Sequence, residues 1–169
     1  MSLTTALFTT KRKVVNALPP IDISGGKTTD VISMKGYDRA TFIVTFGVVN
    51  DGATPGALTI KKCTDVSATG ATAMPFTYRV ESDAAGDTLD SISSATSTGV
   101  NLSSVLSTED NVMLIAEVRA EELTSGTTTN YDCLRLDIAY SSDSAIASVV
   151  CILDGARYQN DSMPSAITD

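Results

Sequence analysis

Covalent catalysis by this chain would have to start at a serine, threonine or cysteine, and each of these needs a neighbouring base to take its proton. The sequence contains no histidine, which removes the side chain that most often acts as that base and most often binds a transition metal. Lysine or a carboxylate would have to substitute, and no spacing supports either. Two pairs of carboxylates, Asp83 with Asp87 and Glu121 with Glu122, are of the residue type used in glycoside hydrolysis, which sets two carboxyl groups several ångströms apart around the scissile bond. Both pairs sit in polar stretches where they are expected to stay solvated. The sequence therefore predicts no enzyme, no cofactor and no metal centre.

The remaining motifs carry equally little chemistry. Residues 82–90 cluster oxygen ligands around Gly86, as hard cations require, but they lack the spacing and the closing bidentate glutamate of a helix-loop-helix calcium site. Ser24-Gly25-Gly26-Lys27-Thr28-Thr29 ends like a phosphate-binding loop yet lacks its earlier glycine and the following apolar helix, so it reads as a turn into a strand. The sequons Asn101-Leu102-Ser103 and Asn160-Asp161-Ser162 are coincidences of composition. Cys63, Cys133 and Cys151 show no Cys-x-x-Cys spacing; each reads as a small buried hydrophobe rather than part of a disulfide scaffold or zinc site, in keeping with folding in a reducing cytosol. What is left is a basic triplet, Lys11, Arg12 and Lys13, expected to meet an acidic surface on a partner protein.

The elements that would position these residues are strands. Threonine and serine, 23 and 19 residues by count, make up about a quarter of the 169 positions, whereas aromatics are 5%; threonine suits a half-exposed pleated surface and serine suits turns. The net charge of −8 repels phosphates, so no direct contact with nucleic acid is expected. No run of about 18 apolar residues is present to span a membrane as a helix, and the basic triplet follows the first apolar stretch instead of preceding it, unlike a secretory signal. A soluble domain is expected.

Alternation of apolar and polar residues locates the strands. Phe42, Val44, Phe46 and Val48 share one face; Leu58, Ile60 and Lys62 follow; then come Phe76, Tyr78 and Val80; Val112, Leu114, Ala116 and Val118; and Leu134, Leu136, Ile138 and Tyr140. Residues 145–153 are almost continuously apolar, as in a strand central to a core; Val31–Met34 reads as a shorter strand, and Leu89–Ile92 as either one short strand or part of a long surface loop. About seven or eight strands without a convincing helix predict an all-β fold, an antiparallel two-sheet sandwich of jelly-roll-like type. Residues 1–27, with Pro19-Pro20 and Gly25-Gly26, read as an extended N-terminal arm, residues 28–155 as the sandwich, and residues 156–169, with Pro164, as a polar C-terminal tail. The stretch from Ser82 to Gly99 reads as a long loop with at most a short strand.

Three segments carry a family resemblance: residues 13–22 (KVVNALPPID), residues 29–41 (TDVISMKGYDRAT) and residues 147–158 (ASVVCILDGARY). In these the chain resembles small virion structural proteins of tailed bacteriophages. The resemblance covers both ends of the chain and none of it is a catalytic signature. It implies a capsid decoration or cement protein: a jelly-roll-like sandwich on the capsid exterior, bound to the major capsid protein shell, assembled in the host bacterial cytoplasm and forming a homo-oligomer, a dimer or trimer. An acidic charge and reduced cysteines agree with that setting. The alternative is a phage tail or host-surface protein that binds a receptor or glycan through residues 82–99, although that stretch offers no aromatic ring for a sugar to stack on.

Overall fold

The computed structural model describes residues 8–49, 55–81, 88–106, 111–141 and 144–156. Along the chain these form α1 (Phe8–Lys11), β1 (Lys13–Asp22), β2 (Lys27–Thr28), β3 (Ile32–Ser33), β4 (Arg39–Val49), β5 (Ala57–Cys63), β6 (Thr72–Met74), β7 (Phe76–Glu81), β8 (Ser93–Ala95), β9 (Val100–Asn101), α2 (Leu102–Val105), β10 (Met113–Arg119), α3 (Ala120–Thr124), β11 (Cys133–Ile138) and β12 (Ala145–Asp154). Seven strands have six residues or more, and the helices are single turns of four or five residues. Every strand pair is antiparallel. The larger sheet has the order β1-β12-β4-β10-β7-β8 and the smaller β2-β11-β5-β6, with β3 on β11 and β9 on β5.

The two sheets pack face to face, so the expected all-β sandwich is the fold. Period-2 alternation places Phe42, Val44, Phe46, Leu114, Ala116, Val118, Val149, Cys151 and Leu153 on the inner face of the larger sheet. Leu58, Ile60, Leu134, Leu136 and Ile138 meet them from the smaller one in a single buried cluster. Each large side chain fully withdrawn from water here contributes about 1.5–3 kcal/mol.

Bulges decide where the alternation breaks. Val48 was expected inward with Phe46, yet it is 65% exposed. From Ala147 to Ala145 on β12 the partners on β4 move from Phe46 to Val49, so β4 holds one extra residue, and Gly47-Val48 bulges with Val48 turned outward. The smaller sheet has a similar break between β2 and β3, where Thr29 is buried and its hydroxyl accepts from the Leu136 amide at 3.0 Å while donating to the Asp30 carbonyl at 2.9 Å.

The N-terminal arm is corrected from residue 13 onward. Residues 13–22 are not a free arm but β1, paired along its length with β12 from Lys13↔Leu153 to Asp22↔Ile146. Pro19-Pro20 lies within it without disrupting the sheet because β1 is an edge strand and the register passes over both prolines, from Leu18↔Val149 to Ile21↔Ala147. Two one-residue bulges, between Asn16 and Leu18 and between Leu18 and Ile21, accommodate the irregularity, and they blunt the longest edge in the fold against pairing with another chain. The Gly25-Gly26 pair turns the chain onto the smaller sheet, with φ of 71° and 82° that a side chain would resist. The middle strand is also shifted: Leu89–Ile92 is not a strand, and β8 begins at Ser93 and pairs with β7. Of the expected tail only Ala156 is among the described residues; Pro164 lies outside them.

Two turn carboxylates give the fold an acid sensitivity. Asp22 accepts from the Ser24 amide at 2.9 Å and the Ser144 hydroxyl at 3.0 Å, and these bonds hold its pKa below the ordinary value. Asp65 is held low by Thr69, through its side chain and its amide at 3.1 Å, and by the Ser67 amide at 2.9 Å. Between the lowered folded value and the unfolded value of about 3.9 the unfolded chain binds more protons, so this stabilisation is complete above that window and is lost as pH falls through it. Thermal melts between pH 5 and pH 2 are expected to show a shallower decline for the double variant Asp22→Asn, Asp65→Asn than for the parent chain; parallel declines would contradict this.

Candidate interaction surface

The two outer faces of the sandwich differ in chemistry. On the smaller sheet the outward residues form an ion network: Asp137 accepts from Lys61 at 2.8 Å and from Arg135 at 2.7 and 3.1 Å. Thr59 lies beside them, directly across from Asp137. Such a face is satisfied in water and gains little from a partner.

The larger sheet presents the opposite. Its register lines up three outward rows across the strands. One runs Val14, Ile152, Thr41, Glu117, Thr77; the next Asn16, Val150, Ile43, Ile115, Arg79; the third Ser148, Thr45, Met113, Glu81. Val150, Ile43 and Ile115 thus form an unbroken apolar stripe through the centre, half-buried by their own neighbours. Around it Val14, Val48 and Ile146 are exposed, at 45%, 65% and 55%. Four of the polar members meet in pairs: the Thr45 and Ser148 hydroxyls lie 2.7 Å apart, and Thr41 donates to Glu117 at 3.5 Å.

At the β7 end of this face an open recess of about 390 Å³ is lined by Thr41, Thr77, Tyr78, Arg79, Leu89, Ile92, Ile115 and Glu117. Arg79 has no ion pair among the described residues. Ile92, 66% exposed, forms the lip. An apolar recess with a guanidinium in its wall suits a projecting apolar group that carries a hydrogen-bond acceptor.

The basic triplet is partly committed within the chain. Arg12 bonds to Asp154 at 3.2 Å and stacks over the Phe8 ring at 4.9 Å, while Lys13 opens β1 opposite Leu153. Lys11, at the end of α1, is exposed. The triplet borders the apolar face at the corner where Val14 sits, so the two surfaces are contiguous.

The carboxylate pairs are placed as follows. Glu121 and Glu122 lie on α3, where the Glu122 carboxylate accepts from the Arg119 amide at 2.7 Å and Glu121 pairs with the Arg119 guanidinium at 3.5 Å. Glu122 thereby caps the start of α3. Asp83 and Asp87 lie outside the described residues. Among the described residues no group of three or more Cys, Asp or Glu converges as a metal site would require, and no helix is long and apolar enough to cross a membrane.

Sequence reasoning missed the apolar face. Ile43, Met113 and Ile115 alternate with the core residues of their strands, Val150 and Ile152 fall in a nearly continuous apolar run, and an apolar residue on a second face reads equally well as one covered by another layer. Only the strand order shows that they align. No known family matches the chain, and no curated protein is significantly similar to it in sequence.

Proposed function

We propose that this chain is a non-enzymatic virion structural protein of the capsid decoration type, and that it fastens to the outside of a phage shell through the outer face of its larger sheet. The observation that carries the proposal is the contrast between the two outer faces: one closed by its own ion pairs, the other crossed by Val150, Ile43 and Ile115 and ringed by exposed Val14, Val48 and Ile146. Contiguous apolar surface of this kind marks a protein–protein contact in a stable domain. The resemblance to tailed-phage virion proteins supplies the class of partner, and the jelly-roll-like description of the sandwich belongs to the same reading.

Geometry bounds the strength of such a contact. Five strands about 4.8 Å apart and about six residues long make a face of roughly 20 by 20 Å, about half of the roughly 800 Å² that each partner contributes to a standard interface. A single chain would hold weakly, so the reading includes a dimer or trimer whose copies engage a repeating lattice together. Bound copies stabilise the assembled shell by mass action, since they add contact area only when the shell is intact.

Sedimentation with undecorated tailed-phage capsids tests the proposal. Stoichiometric co-sedimentation is the expected result. A chain that stays in the supernatant with capsids but is retained on bacterial cells or immobilised glycans would overturn it in favour of a host-surface role.

A further inference from the structure

We propose that Cys63 and Cys133 form a reversible disulfide that clasps β5 to β11 when the chain passes from reducing to oxidising surroundings. Seventy positions apart in the sequence, the two residues stand directly opposite each other in the antiparallel register. Opposed residues in such a ladder have Cα atoms about 4.5–5.5 Å apart, inside the roughly 4.4–6.8 Å that a disulfide spans. Both side chains leave the sheet on the same side, because the intervening register puts Leu58, Ile60, Leu134 and Leu136 into the core and Thr59, Lys61, Arg135 and Asp137 on the outer face with the cysteines.

The third cysteine is differently placed. Cys151 belongs to the central apolar cluster and lies between Val15 and Phe42 in its sheet, with no cysteine across from it. Cys63 and Cys133 are buried as well, yet they stand outside that cluster. The Cys133 thiol donates to the Asp132 carboxylate at 3.1 Å, and Asp132 itself bonds to Lys35 at 3.2 Å near the end of the sheet. A short opening of the sheet end exposes this pair; exposing Cys151 requires the core to open.

The chemistry closes with a small disulfide as oxidant. One cysteine thiolate attacks it, forming a mixed disulfide and releasing one small thiol; the second cysteine thiolate then attacks the protein sulfur and releases the other. Two protein S–H bonds are replaced by one S–S bond, and the oxidant leaves as two thiols that carry both protons. Burial and the adjacent Asp132 push the Cys133 thiol up to about 12, so thiolate is scarce at neutral pH, and the reaction is slow and accelerates with pH. Once formed, the link closes a loop of about 70 residues and restricts the unfolded chain, which corresponds to a rise of roughly 10 °C in Tm. None of this depends on what the larger sheet binds.

Oxidised glutathione at pH 8.5, followed by denaturing thiol titration and a non-reducing peptide map of the full chain, tests the clasp. The expected result is loss of two of three thiols, a linked peptide containing Cys63 and Cys133, free Cys151, a raised Tm, and full reversal by dithiothreitol. Three free thiols after prolonged oxidation, a stable glutathione adduct on either residue, a link involving Cys151, or a link without a change in Tm would each overturn it. Cys63→Ser and Cys133→Ser should each abolish the linked peptide and the Tm rise, and a rise that survives either change would also overturn it.

Discussion

Replacing Gly99 by alanine is expected to cost roughly 3 kcal/mol of stability, or about 6–12 °C in Tm. Gly99 ends the Thr96-Ser97-Thr98-Gly99 turn, where its amide donates to the Thr96 carbonyl at 2.9 Å, and its φ is +84°. A Cβ there would lie 2.2 Å from the Leu58 carbonyl oxygen and 2.9 Å from its carbon, with Thr59 Cγ2 at 2.6 Å. Two of these atoms are backbone of a central strand, so nothing nearby can move aside cheaply. The chain instead has to draw β9 away from β5, breaking the Leu58↔Val100 and Ala57↔Asn101 pairing. Gly36→Ala is the matched comparison. Its φ is +81°, almost the same, but no atom lies within 4 Å of the added carbon, so only the conformational cost of about 1 kcal/mol remains. Equal urea midpoints for the two variants would contradict this explanation.

The second large effect concerns binding rather than folding. Ile43 occupies the middle of the apolar stripe, flanked across the strands by Val150 and Ile115. In Ile43→Lys the ammonium can reach water over its neighbours in the free chain, so the expected change in Tm is only a few degrees. In a closed interface the same charge is desolvated without a partner, at a cost of about 2–4 kcal/mol typical of a hot spot, which is a loss of about 30- to 1,000-fold in affinity. Thr59→Lys, on the outer face of the smaller sheet, introduces the same charge where Lys61 and Arg135 already surround Asp137 and is expected to leave binding unchanged.

Much of the sandwich was legible because alternation is a local signal. Phe42, Val44 and Phe46, or Leu134, Leu136 and Ile138, are buried as their spacing demands. The failures share a cause. Val48 faces water because β4 carries one more residue than β12 at that point, and β1 joins the sheet because an edge strand tolerates Pro19-Pro20. Both facts depend on which strand lies alongside, and no window of ten residues contains that information. The same holds for the surfaces. Ile43, Ile115 and Val150 become one stripe, and Cys63 meets Cys133, only through pairing between segments far apart in the chain.

Binding isotherms on undecorated tailed-phage shells measure adhesion through the outer face of the larger sheet directly. The parent chain and Thr59→Lys are expected to saturate together, with Ile43→Lys shifted at least 30-fold to weaker binding at an unchanged fold. Superimposable curves for all three, or loss of binding in Thr59→Lys alone, would contradict it.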